Sequence, residues 1–315
     1  MSIPAVQIDA EVAAFHELHR AQGFPDYVGV DAVRAREASR AVMRWRNMLA
    51  SPVDAVRSIE NTTIELGQRT LRARVYQPFG RAVAHVLYLH GGGFVMGDLD
   101  ASDAHCRAIA ALSGVIVTSL DYSLAPEHPF PRAAYESRDV VRQLCYEATT
   151  ERGRDLPVAV AGDSAGANLA ASALALLQQD ERSAVKSQLL LYPMVDPSMS
   201  FPSIRDNGSG FMLERAAIKR FWGHYLDGRP EATVTTFLTG GLEGTAPAVV
   251  VTAGFDPLRD EGLDHARRLK LAGVPVTTLS FPSLVHGFFG WGAHVTAART
   301  AVLEICLAFR QCLLA

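Results

Sequence analysis

Three residues of this chain have the types and settings for nucleophilic acyl chemistry: a serine, a histidine and an aspartate. Ser164 lies in Gly162-Asp163-Ser164-Ala165-Gly166. The apolar run Pro157 to Ala161 precedes it, and the Ala/Leu-rich run Ala167 to Leu177, without Pro or Gly, follows. That context predicts strand, sharp turn and helix, and G-x-S-x-G in such a setting is a nucleophile elbow. A serine lifted off a strand on a tight turn takes a strained backbone conformation. It then stands at a helix N-terminus, where free N–H groups and the helix dipole favour developing negative charge.

A second stretch could receive that charge. His90-Gly91-Gly92-Gly93-Phe94 follows the apolar run Ala84 to Leu89. Alone it would read as a flexible turn. Paired with the elbow it matches an HGGG-type oxyanion motif. The expected donors are the N–H groups of Gly92, Gly93 and Ala165, each worth roughly 10²–10³ in rate when aimed at a forming oxyanion. Asp256 opens the stretch Asp256-Pro257-Leu258-Arg259-Asp260-Glu261-Gly262 after another apolar run. A carboxylate on such a loop can orient an imidazole. Asp260 and Glu261 are its rivals, but they sit a turn later on a predicted helix, where acids commonly complement the dipole. His286, in His286-Gly287-Phe288, supplies the imidazole, and the order Ser164, Asp256, His286 is one in which such triads occur. His128, His265 and His294 have no comparable setting.

These groups must be positioned by a regular scaffold. Strands are predicted at Val56 to Leu66, Thr70 to Gln77, Ala84 to Leu89, Gly114 to Leu120, Pro157 to Ala161, Lys186 to Tyr192, Ala248 to Thr252 and Val274 to Phe281. Helices are predicted at about Ala101 to Leu112, Pro131 to Glu147, Ser164 to Gln179, Arg259 to Leu271 and His294 to Leu313. Alternation of apolar strands with helices implies a mainly parallel sheet covered on both faces. The interval from Asp196 to Pro247 breaks this rhythm with a helix-like segment, Glu214 to Leu226, and Gly-rich loops. It reads as an insertion above the sheet. Residues 1 to about 50 read as helical, with Asp31 capping a helix over Ala32 to Leu49.

Composition narrows the function classes. With 315 residues, 49% hydrophobic and 20% charged, the chain can bury a large core. A net charge of -3 gives no long-range attraction to nucleic acid or anionic membrane. No secretory leader pattern and no long apolar run is present, so a cytoplasmic location is expected. The cysteines Cys106, Cys145, Cys306 and Cys312 lack metal or redox spacing and read as reduced packing residues. His16, Glu17 and His19 form H-E-x-H rather than H-E-x-x-H, and read as solvated or capping groups. Arg34, Arg36, Arg40, Arg44 and Arg46 on the second predicted helix read as a solvated face. No metal and no cofactor are expected.

Together these residues resemble the hormone-sensitive-lipase-like, bacterial family IV branch of the α/β-hydrolases. The resemblance runs from about residue 84 to 290. It rests on His90 to Phe94, the run Asp121-Tyr122-Ser123-Leu124-Ala125-Pro126-Glu127-His128-Pro129-Phe130-Pro131, the Gly162 to Gly166 elbow, Asp256 to Gly262 and His286 to Phe288. It implies an eight-stranded, mostly parallel sheet with helices on both faces. It also implies a helical cap from residues 1–50 and 196–230 over a catalytic domain of 51–195 and 231–315. The activity implied is carboxylic ester hydrolysis, on short- to medium-chain acyl esters, by a monomer or homodimer. His90 and Glu127 would shape the oxyanion loop. Amide or N-acetyl hydrolysis by the same triad is the alternative, and a non-catalytic ligand receptor of this fold a further one. Two positions depart from the family pattern: Ser123 replaces an Arg, which puts a local ion pair in doubt, and Ala167 replaces a Gly.

Overall fold

Short runs of β-branched and other apolar residues set the centre of the molecule. The computed structural model describes residues 7–24, 27–50, 53–149 and 156–315, apart from the side chains at 149, 236 and 237. Residues 1–6, 25–26, 51–52 and 150–155, which fall in the expected cap and catalytic segments, lie outside the described residues.

The chain opens with helices α1 (Ala10–Arg20) and α2 (Ala32–Leu49). The carboxylates of Asp9 and Asp31 accept first-turn N–H groups at their starts, as N-caps do. Then follow β1 (Ser58–Leu66), β2 (Arg69–Gln77), β3 (His85–Leu89), α3 (Asp103–Ser113), β4 (Ile116–Leu120) and α4 (Arg132–Thr149). β5 (Val158–Asp163) leads into α5 (Ala165–Ala175), the short α6 (Gln179–Arg182) and β6 (Val185–Leu191). Next come α7 (Pro202–Asp206), α8 (Arg215–Leu226) and α9 (Glu231–Thr239). The chain closes with β7 (Ala248–Phe255), α10 (Arg259–Leu271), β8 (Val276–Val285), a 3₁₀ turn at Phe288–Trp291 and α11 (Thr296–Leu314).

The eight strands form one sheet in the order β1-β2-β4-β3-β5-β6-β7-β8. β1 and β2 are antiparallel to their neighbours, and the other pairings are parallel. Period-2 alternation splits the core in two. Leu87, Leu89, Val160, Leu190 and Val250 face the side covered by α4, α5 and α10. Val86, Tyr88, Ala159, Leu189 and Val251 face the side covered by α3 and α11. Both faces being dry explains why β3, β5 and β7 are mostly apolar, whereas β2, nearer the edge, alternates. From β3 the chain steps outward to β4 and then back across to β5, so a topological switch point lies between β3 and β5. Crevices form beyond the carboxyl ends of strands at such points. Gly91 to Gly93 follow one of those ends and Ser164 the other.

Several local expectations are corrected. Gly114 is not strand but the left-handed C-cap of α3, the conformation that ends a helix most cheaply at glycine. The helix after Ser164 stops at Ala175, and Gln178 starts a separate turn closed by Glu181. β8 runs on to Val285, which places His286 directly at its end.

The basic face of α2 is only partly solvated. Arg40 pairs with Asp98 at 3.0 Å, Arg36 is bonded at four points and Arg46 lies over the Trp291 ring. His16 and His19 are not solvated either. His16 is buried, and His19 packs against Phe24 and Trp45, with burial pushing its imidazole down to about 4.

Ser123 sits beside an ion pair. Arg69 reaches the buried Glu136 at 2.8 Å, and Ser123 adds its own N–H and hydroxyl to that carboxylate. Among the described residues, no helix is long and apolar enough to cross a membrane. Nor is any group of three or more His, Cys, Asp or Glu placed to hold a metal ion.

Candidate active site

β5 hands Ser164 to α5 through a backbone turn at φ 55°, ψ −119°. This is a sparsely populated region for a non-glycine residue, and such strain persists only where its surroundings fix it. Gly166 is what allows the approach, because a Cβ there would collide with the carbonyls of Leu89 and His90 at the end of β3. The Ser164 N–H donates to Leu191 O at 2.9 Å, and its carbonyl accepts from Met194 N at 3.2 Å. The elbow is thus sewn to the ends of β3 and β6.

His286 meets it from the end of β8. Its Nε2 lies 3.1 Å from Ser164 Oγ and its Nδ1 2.8 Å from Asp256 Oδ2. The Asp256 carboxylate is fully buried and the imidazole 12% exposed. The second oxygen of Asp256 accepts from Leu258 N at 2.8 Å. A carboxylate so placed keeps the proton of a neutral imidazole on Nδ1 and leaves Nε2 free to accept from the serine. Tyr192 stands edge-on to the imidazole at 4.8 Å. Burial, then the carboxylates of Asp163 and Asp256, push its phenol well above the ordinary range, so no further negative charge arises there.

The two rival acids are elsewhere. Asp260 pairs with Arg259 at 2.7 Å and accepts from Ser203 N at 2.9 Å. Glu261 accepts from Val195 N at 2.7 Å and Asp196 N at 3.1 Å, and burial holds its carboxyl well above the usual carboxylate range. Neither reaches the imidazole.

The loop after β3 is built from left-handed residues: Gly92, Gly93, Phe94 and Gly97 all have positive φ. Gly93 also has no room for a side chain, since a Cβ would enter the ring of Phe221 on α8. The Gly92 carbonyl turns away and accepts from Val95 N and Met96 N at 3.1 and 2.9 Å. The N–H groups of Gly92, Gly93 and Ala165 take part in none of the hydrogen bonds among the described residues. His90 stacks on Tyr122 with centroids 4.3 Å apart, and the Tyr122 hydroxyl donates to the His90 carbonyl at 2.7 Å. The Glu127 carboxylate accepts from Arg36, which in turn donates to Val95 of the loop.

Sequence reasoning missed three supports of this site. Asp163, the residue before Ser164 in the elbow, accepts from Gly91 N at 2.7 Å and from the Tyr88 hydroxyl at 2.5 Å. Asn207, just after α7, donates to the carbonyls of Gly254 and Asp256, each at 3.1 Å. The segment between β6 and β7 therefore buttresses the acid loop. Arg36 is the third. The nearness of Asp163 to Ser164 was the one local signal available.

Comparison with known proteins agrees with this architecture. A family profile described as alpha/beta hydrolase fold matches residues 86–290. The chain is 36% identical over 291 residues to Esterase LipI of Mycobacterium tuberculosis, covering 90% of this chain and 88% of that protein. It is 31% identical over 316 residues to Ethyl acetate hydrolase of Pseudomonas putida, covering 97% and 99%. Among solved structures, the hyperthermophilic esterase from the archaeon Pyrobaculum calidifontis superposes with a TM-score of 0.89 at 31% identity, covering 98% of this chain and all of that one. With its sheet order, its elbow and these relatives, the chain belongs to the α/β-hydrolases, in their hormone-sensitive-lipase-like branch.

Proposed function

We propose that the protein is a serine carboxylic ester hydrolase acting through an acyl-enzyme on Ser164. The observation that carries this reading is the bridge of His286 between Ser164 Oγ and Asp256 Oδ2. Ser164 Oγ attacks the ester carbonyl while His286 Nε2 takes its proton. The carbonyl oxygen becomes an oxyanion, received by the N–H groups of Gly92, Gly93 and Ala165. Collapse expels the alkoxide, to which His286 returns the proton. Water then repeats the sequence on the acyl-enzyme, releasing the acid. Asp256 holds the imidazole tautomer and stabilises the imidazolium without itself taking the proton.

The segments 1–50 and 196–230 act as a cap over this centre. Arg220 of α8 supports the pairing of the two, donating at 2.8 Å to the Val28 carbonyl and also to that of Val30. Phe221, on the same helix, sits against Gly93. Such a cover favours short- to medium-chain acyl esters, roughly C2 to C8, over long ones.

The test is a p-nitrophenyl ester assay combined with an organophosphonate label. The expected result is one adduct, on Ser164, with complete loss of turnover. Ser164→Ala should fold and be inactive. A labelled residue elsewhere, or an active Ser164→Ala protein, would overturn the assignment.

A further inference from the structure

Arg36 stands on α2, remote in sequence from Ser164, Asp256 and His286, yet its guanidinium ties the loop that carries the expected oxyanion donors to the turn after β4. Nε donates to the Val95 carbonyl at 2.8 Å. Nη2 donates to the Ala125 carbonyl at 2.9 Å and to Glu127 Oε2 at 2.6 Å, and Nη1 to Glu127 Oε1 at 2.8 Å. The side chain is 17% exposed. Ala125 in turn donates its N–H to the Phe94 carbonyl at 2.8 Å. One planar fork therefore joins three pieces of chain: α2, the loop after β3 and the turn after β4. Arg40, one turn further along α2, pairs with Asp98 at the far end of the same loop.

The loop needs this restraint. Its residues at positive φ include Phe94, for which the conformation costs about 1–3 kcal/mol. At its start the loop is held by the Gly91 N–H bond to Asp163. Two residues beyond Gly93 it is held by Arg36 at Val95. Gly92 and Gly93 lie between these two fastenings.

We infer that Arg36 is a positioning residue for the oxyanion pocket: its fork fixes the loop between Gly91 and Val95 and so aims the Gly92 and Gly93 N–H groups. It touches neither Ser164 nor His286. This inference rests on the proposed ester hydrolysis for its kinetic consequence, though not for its structural one. Donors to an oxyanion act in the transition state and little in the ground state, so loosening them lowers kcat while KM changes little. Complete loss of one donor costs about 10²–10³, and misaiming should cost less, about 10–100-fold. A lysine cannot substitute, because an ammonium is a point charge without the planar fork.

The test compares wild type, Arg36→Met and Arg36→Lys by three readings. In kinetics on p-nitrophenyl acetate, both variants should lose about 10–100-fold in kcat with KM within about threefold. In inhibition, a trifluoromethyl ketone adds Ser164 Oγ to its carbonyl carbon, the carbonyl electron pair moves to oxygen, and His286 takes the serine proton. Its affinity should fall in step with kcat/KM. The methyl ketone of the same skeleton, which forms no oxyanion, should bind about as well as to wild type. In amide hydrogen exchange, the peptide covering Gly92 to Met96 should exchange faster in both variants, with α5 unchanged.

Full kcat in Arg36→Lys would overturn the role of the fork. Equal loss of both ketones would show a misshapen site rather than misaimed donors. Unchanged exchange over Gly92 to Met96 would overturn the inference whatever the kinetics. Should Arg36→Met fail to fold, Arg36→Lys and Glu127→Gln are read in the same way. A wild-type protein that cleaves no ester and takes no phosphonate on Ser164 would sink the proposed function. The exchange reading would still decide Arg36.

Discussion

The Gly91 N–H donates to Asp163 Oδ1 at 2.7 Å, so the residue before the candidate nucleophile holds the start of the loop carrying the candidate oxyanion donors. The same oxygen accepts from the Tyr88 hydroxyl at 2.5 Å, and burial, then the Asp163 charge, keep that phenol protonated as donor. Ser164 and the loop of Gly92 and Gly93 are therefore referenced to one carboxylate between the ends of β3 and β5.

Replacing that carboxylate should be costly in a graded way. Asp163→Ala leaves the Gly91 N–H and the Tyr88 hydroxyl without their acceptor, each loss worth about 1–3 kcal/mol when the group stays buried. Asp163→Asn keeps one acceptor oxygen. Urea unfolding and kcat should rank wild type above Asn above Ala, with the Ala variant down about tenfold or more in kcat. Equal kcat in all three proteins would show that Gly91 needs no such hold.

The acid of the triad can be separated from its neighbour by two conservative changes. Asp256→Asn presents an amide to Nδ1 and favours the wrong tautomer, so kcat should fall by about 10⁴. Asp260→Asn disturbs only the pairing with Arg259 and the bond from Ser203 N, and should cost less than tenfold. The reverse ranking in single-turnover rates would move the acid to Asp260.

Ser164, Asp256 and His286 were legible as candidates because each sits beside a local pattern: a glycine-flanked serine, an acid after an apolar run, a histidine on a strand-end loop. Sheet class was legible for the same reason, since double burial writes apolar runs into β3, β5 and β7. What held these groups in place was not legible. Arg36 meets Val95 and Glu127 across 59 and 91 residues, and Asn207 meets Asp256 across 49. Contacts at that separation leave no periodicity or spacing to read. Arginines on a helix look alike whether they face water or a carbonyl. Arg36 and Arg34 could not be told apart until the fold put loops beside one of them. His19 looks solvated in the sequence for the same reason, because Trp45 and Phe24, which pack against it, lie outside α1.

Stability should depend on pH through a histidine outside the site. His265 on α10 is 3% exposed, and burial pushes its imidazole down to about 4. Its folded value lies below the unfolded one of 6.5, so the native state binds the proton less readily than the unfolded chain. The neutral form's contribution is fully present above pH 6.5 and is lost as pH falls towards 4. Each such group adds a slope of at most about 1.4 kcal/mol per pH unit. His19, lowered in the same direction, steepens the same window. Urea unfolding between pH 7.5 and 4.5 should therefore show a smaller loss in His265→Leu than in wild type. Identical pH slopes for the two proteins would show that His265 is not held neutral.

Phe221 should set the length of acyl chain the site accepts. It is 6% exposed, lies on α8, and its ring occupies the place a side chain at Gly93 would take. An ester whose carbonyl oxygen reaches the Gly93 N–H must bring the first carbons of its acyl or alcohol part close to that ring. Trp222 and Tyr225 do not share this position; they pack on Phe94, with centroids 5.3 and 3.7 Å away. Phe221→Ala would remove the ring while leaving Phe94 covered. Each methylene that gains or loses a wall is worth about 1–3 kcal/mol in discrimination. In a series of p-nitrophenyl esters, the variant's best kcat/KM should move to chains longer by about two carbons or more, and acetate should lose most. Phe94→Ala, by contrast, should lower kcat for every chain length together, since it loosens the loop rather than widening the pocket. A chain-length profile for Phe221→Ala that overlays the wild-type one would show that the acyl chain leaves the site in another direction.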